Sequence, residues 1–93
     1  MSTKTEKAYM NIAATLPCAC CGDAGPVELH HARAGQGTAM RGGNFCVIPL
    51  CVPCHRGVNG VHGDKFMLKV FKTGEIKMLN NTIGEVFKRV SRL

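Results

Sequence analysis

The chain contains no tryptophan, one tyrosine and four phenylalanines. Proteins that grip single strands by stacking bases need flat rings in series, so a polyanion would be held here through its backbone. Acidic residues are scarce as well: six Asp and Glu stand against twelve Lys and Arg, a net charge of +6. Residues 64–93 hold seven of the basic and three of the acidic side chains. A small basic domain suits nucleic acid, with phosphate contacts dominating affinity; the plainer meaning of the charge is solubility. No apolar run approaches the roughly 20 residues of a membrane-spanning helix, so no membrane association is expected. The start, Met1 to Lys7, is polar and no long apolar segment follows it, which argues against a secretory signal. A reducing cytosol is the expected compartment, and disulfides are rare there. The glycine-rich stretch from Ala34 to Gly43 fits neither the dinucleotide nor the Walker spacing and reads as a mobile loop. There are no repeats and no low-complexity tract.

What is present is cysteine and histidine. Ninety-three residues make one domain with a marginal core, a size at which a metal or disulfides often serve as a staple. Four of the six cysteines form two C-x2-C pairs, Cys18/Cys21 and Cys51/Cys54. That is zinc spacing, since two knuckles can bring four thiolates into a tetrahedron. The competing meanings are disulfides or buried apolar thiols. Cys20 and Cys46 are left over, and Cys46 reads as a core residue of a strand.

All four histidines, His30, His31, His55 and His62, lie in or beside this unit. His30 and His31 end a short apolar run, Val27 to His31, that reads as a strand. Neighbours on a strand point to opposite faces, so the pair divides its work. One binds a metal and the other handles a proton, for which a histidine near neutral pH is well matched. His55 or His62 could instead be an ordinary exposed histidine. Arg33 and Arg56 sit within two residues of histidines and are candidate phosphate clamps; Arg41 reads equally well as surface charge.

Around this unit the expected elements are as follows. Residues 1–7 are frayed. Ala8 to Leu16 carries Tyr9, Ile12, Ala13 and Leu16 at helical spacing and ends at Pro17; a short strand is the alternative. Gly22 and Gly25 supply positive φ to the first knuckle. A second strand, Asn44 to Ile48, closes at Pro49 and pairs antiparallel with the first. A short helix starts near Pro53 and is cut off by Gly57 and Gly60. Asp64 caps a helix from Lys65 to Lys72. Glu75 to Val90 forms the last helix, with Ile76, Leu79, Ile83, Val86, Phe87 and Val90 on its apolar face.

The order Cys18-x2-Cys21, His30-His31, Cys51-x2-Cys54-His55 resembles the HNH endonuclease pattern. The wider run of Leu16-Pro17-Cys18, Pro49-Leu50-Cys51 and Gly60-Val61-His62-Gly63 is similar to the recombination-enhancement (Ref-like) nucleases of phages and prophages. The likeness covers about residues 9 to 66, within a single 1–93 nuclease domain whose helical tail, 67–93, carries no motif. It implies a small α+β fold: a ββα-metal, treble-clef-like hairpin and helix stapled by zinc, with flanking helices. It implies His31 as the general base, and His30, His55 and His62 as ligands of a catalytic divalent ion (Mg, Mn, Ni or Zn). Cys18, Cys21, Cys51 and Cys54 would hold the structural zinc, with Arg33 and Arg56 on phosphate. The substrate would be DNA, cut to 5′-phosphate and 3′-hydroxyl ends in a bacterial host cell. A recombination protein is a candidate partner, and the chain would be a monomer or weak dimer. One position departs from the pattern. The family's asparagine falls five residues before Cys51, which here is Cys46; Asn44 and Asn59 lie nearby, out of register. The rival expectation is a non-catalytic zinc module that binds nucleic acid or protein.

Overall fold

A two-stranded antiparallel hairpin carries His30 and His31, and helices pack against it. The computed structural model describes residues 3–33 and 43–91, so all of the glycine-rich stretch but Gly43, Arg41 included, lies outside the described residues. The element order is α1 (Lys4–Ala13), β1 (Glu28–His31), β2 (Val47–Leu50), α2 (Val52–Arg56), α3 (Phe66–Val70) and α4 (Glu75–Val90). This is a small α+β protein. No helix among the described residues is long and apolar enough to cross a membrane.

Helix α1 begins earlier than its apolar spacing predicts, because Thr3 and Glu6 form a capping box. The Glu6 amide donates to the Thr3 hydroxyl and the Thr3 amide to the Glu6 carboxylate. Two otherwise orphaned amides are thereby satisfied, so residues expected to fray are helical from Lys4. The helix stops at Ala13, ahead of Leu16, and Thr15 turns its hydroxyl back to the Ile12 carbonyl.

Strand β2 differs from expectation by running through Pro49. Its register pairs His30 with Ile48, Leu29 with Pro49 and His31 with Val47. The Ala32 amide donates to the Cys46 carbonyl at 2.8 Å. Bonded and non-bonded pairs alternate along an antiparallel ladder, which makes Leu29–Pro49 a non-bonded pair. The missing proline N–H therefore falls on the outer side of the hairpin, where proline is tolerated. The Pro49 carbonyl is used nonetheless: it accepts from the Ala19 amide at 2.8 Å and ties the first knuckle to the strand.

All four β2 residues are buried. Ile48 and Leu50 pack with Cys18, Cys51, Cys54, Val61, Leu68 and Met78. Val47 packs with Ala13, Leu16 and Val86. The buried residues of α4 are Met78, Thr82 and Val86. Of the expected apolar face only Val86 is buried: Ile76, Phe87 and Val90 are exposed, Ile83 lies at the margin, and Leu79 is half-buried. Thr82 can occupy the core because its hydroxyl donates to the Met78 carbonyl, which removes most of the cost of burying it.

The turn after α2 sets the position of His62. Gly57 ends the helix, and the chain folds back over it. The Val61 amide donates to the Cys54 carbonyl (2.8 Å) and the His62 amide to the His55 carbonyl (3.2 Å). Gly60 makes this approach, and a Cβ there would lie 2.7 Å from both the Cys54 and the Pro53 carbonyl oxygens. Gly60→Ala is expected to destabilise the domain by about 1–3 kcal/mol, the usual cost of overpacking, as read from urea unfolding. An unchanged midpoint would show that the turn yields freely. Helix α3 starts one residue later than expected, because Lys65 takes a left-handed conformation (φ 63°). Lys65, rather than the expected Asp64, is therefore the capping residue, although the Asp64 carboxylate still accepts from the Phe66 amide.

Candidate metal centres

Two clusters of ligand-type side chains are assembled on this frame. The first comprises Cys18, Cys21, Cys51 and Cys54, whose sulfurs lie within 4.8 Å of one another. All six cysteines are free thiols, which leaves no disulfide staple. In tetrahedral thiolate coordination with Zn–S near 2.3 Å, neighbouring sulfurs sit about 3.8 Å apart; Cys21 Sγ and Cys51 Sγ are 3.7 Å apart. The first knuckle closes when the Cys18 amide donates to the Asp23 carbonyl and the Gly22 amide to the Cys18 carbonyl. Gly22 has φ of +81°, the conformation anticipated for it, whereas Gly25 does not share it. The Cys21 amide also donates to Cys18 Sγ at 3.5 Å. Burial raises the Cys18 thiol's pKa, but amide donors from Cys21, Cys51 and Cys20 outweigh it and bring the value down to about 7. Burial first, and then its sulfur neighbours, push Cys54 far up. The four sulfurs fit a structural metal such as zinc.

The second cluster is His30, His55 and His62, whose ring nitrogens also lie within 4.8 Å of one another. His30 comes from β1, His55 from α2, and His62 from the turn that folds back over α2. His55 Nε2 and His62 Nε2 are 3.1 Å apart. Two nitrogens on one ion at 2.0–2.1 Å would be separated by about 2.9–3.4 Å, so the spacing fits a shared ion. Two carboxylates serve these rings. Glu28 accepts from His55 Nδ1 at 2.9 Å, and Glu75 accepts from His30 Nε2 at 2.7 Å. Burial is the main cause that lowers the pKa of His30. It does the same for His62, helped by positive charge at His55, His30 and Arg33. Both rings therefore favour the neutral form, the form that binds metals.

His31 stands apart from these three, as strand alternation requires. Its Nε2 lies 3.0 Å from Asn44 Oδ1. A carboxamide oxygen only accepts, so in this pairing Nε2 carries the proton and Nδ1 the lone pair. Asn44 was out of register with the expected asparagine position, yet it is the asparagine that meets this histidine. Asn59 instead has its amide facing the Asp64 carboxylate. Leu29, His30, His31, Arg33, His55 and His62 line one cavity of about 180 Å³.

The arginines divide. Arg33 is exposed and lines both this cavity and a neighbouring one of about 430 Å³ that Lys65 and Glu75 also line. Arg56 is engaged by Glu28, through Nε at 2.9 Å and through Nη2. The residues the sequence reading passed over are thus Glu28, Glu75 and Lys65. Glu28 could have been found, because it stands two residues before His30 and shares its strand face. No local signal marks Glu75, which is 45 positions from His30. Comparison with protein-family models, curated proteins and solved structures finds no match to this chain.

Proposed function

We propose that the chain is a small metal-dependent endonuclease of the HNH, ββα-metal type, hydrolysing phosphodiester bonds of DNA and related to the recombination-enhancement nucleases of phages and prophages. The observation that carries this reading is the shared cavity. A histidine fixed by an amide oxygen and three histidines that can hold an ion face the same small space. A zinc staple alone requires no such second centre. The order β1, β2, α2, with His30 and His31 ending β1 and His55 on α2, is the hairpin-and-helix arrangement that the reading expects.

In this reading His30, His55 and His62 hold a divalent ion, whose chemistry is to polarise the scissile phosphate and stabilise charge on the leaving 3′ oxygen. His31 takes the proton from the attacking water, while Asn44 holds its ring through Nε2. In the same reading Arg33 and Lys65, which line the neighbouring cavity, meet flanking phosphates. Arg56 contributes to the frame through Glu28, and its contact with phosphate would require breaking that pair.

The test is nicking of supercoiled plasmid with Mg or Mn, with and without chelator. Metal-dependent conversion to the open circle is expected. If metal-replete protein leaves the plasmid intact, the enzyme reading fails, and the rival is a zinc module that binds nucleic acid or protein.

A further inference from the structure

Glu75 is the first residue of α4 and approaches the histidine cluster from the opposite end of the chain. Its side chain is 17% exposed. One oxygen, Oε2, lies 2.7 Å from His30 Nε2, and the other, Oε1, accepts from the Arg33 amide at 2.9 Å. With both oxygens engaged, the carboxylate has little freedom to rotate. It also has a counterpart, since Glu28 holds His55 through Nδ1 and leaves Nε2 facing His62. The three histidines form a set of mutually close ligand atoms that does not include Glu75. The carboxylate therefore stands behind His30 and outside the ligand set.

We infer that Glu75 is a positioning residue of the histidine metal site: it takes the Nε2–H of His30, so that His30 meets the ion through Nδ1, while His55 meets it through Nε2. The inference rests on the reading that the three histidines hold a divalent ion, and is independent of what that ion is used for. Metal-bound histidines commonly donate their second N–H to a carboxylate, which fixes the ring and raises its basicity. This also gives the C-terminal helix a part in the site. Glu75 is fixed to His30 of β1 and to the Arg33 amide just beyond the strand, so docking of α4 on the hairpin and formation of the ion site are one event.

The experiment is a cobalt(II) titration of full-length protein whose cysteine site is already filled with zinc, followed by visible absorption. Wild type is expected to take one cobalt, with Glu75→Ala binding it about ten- to a hundredfold more weakly. Glu75→Gln should fall between, because a carboxamide oxygen still accepts from Nε2–H but carries no charge. Zinc content and the thermal midpoint of each variant separate a loosened α4 from a lost ring contact. The deciding readout is the ring-nitrogen NMR spectrum of the protein with zinc at both sites. Coordination of His30 through Nδ1 with Nε2 protonated is expected; coordination through Nε2 overturns the inference, and so does unchanged cobalt affinity in Glu75→Ala. A wild type that binds cobalt as described yet leaves plasmid intact supports the inference while removing the nuclease reading. A wild type that takes no second ion overturns both.

Discussion

Cys54→Ser is expected to leave the domain without zinc and without a cooperative unfolding transition. Cys54 is completely buried, and Cys18 and Cys51 are nearly so, within the same cluster as Ile48, Leu50 and Met78. The sulfurs therefore occupy the place where a larger protein would have aliphatic side chains. Structural zinc supplies on the order of 10–16 kcal/mol of folding free energy in small finger domains, whereas whole domains are stable by only about 5–15 kcal/mol. Loss of a single ligand is thus large against everything else the chain has. It also detaches the second knuckle from the first, and with it α2, His55 and the turn bearing His62. Elemental analysis and far-ultraviolet circular dichroism check the expectation. Wild type should carry at least one zinc per chain and lose helical signal under a strong chelator. Cys46→Ser, at a half-buried cysteine outside the quartet, should retain both metal and fold. A Cys54→Ser protein that melts like wild type would show that the hairpin and helices suffice without the staple.

The parts of this molecule that could be read in advance are those whose chemistry is local in sequence. Two C-x2-C pairs specify a four-sulfur cluster because the knuckle geometry is contained within each pair. His30 and His31 separate because strand alternation requires it. The apolar face of α4 was misread for the opposite reason. Counting apolar side chains favoured Ile76, Ile83 and Phe87 beside Val86, whereas the buried positions are Met78, Thr82 and Val86. An isolated helical pattern carries no information about which of two adjacent faces will meet a neighbour, and Thr82 looks polar until its hydroxyl is bonded within the helix. Glu75 was out of reach because its role exists only after α4 has docked.

The asparagine is an intermediate case. The family pattern demanded one at position 46 and found cysteine. Asn44, two residues earlier, precedes β2 and is not bound by strand alternation, so its side chain can turn back to His31. A register rule applied to sequence treats such a shift as a loss, although the amide oxygen still arrives within hydrogen-bonding distance.

That substitution leads to the second large expected effect. His31→Ala should lower plasmid nicking by about 10²–10⁴-fold, the range lost when a positioned general base is removed. Cobalt uptake by the histidine cluster should be unaffected, since His31 is not among its ligands. Asn44→Ala should cost less, about ten- to a hundredfold, as is common when a hydrogen-bonded supporting residue is removed. The ring would remain but would sample both tautomers. The expected order of loss, His31 before Asn44, follows the contact between them outward from the cavity. Full activity in Asn44→Ala would mean that the ring is held by something else. Full activity in His31→Ala would remove His31 as the base and shift the search to the nitrogens of the three-histidine cluster.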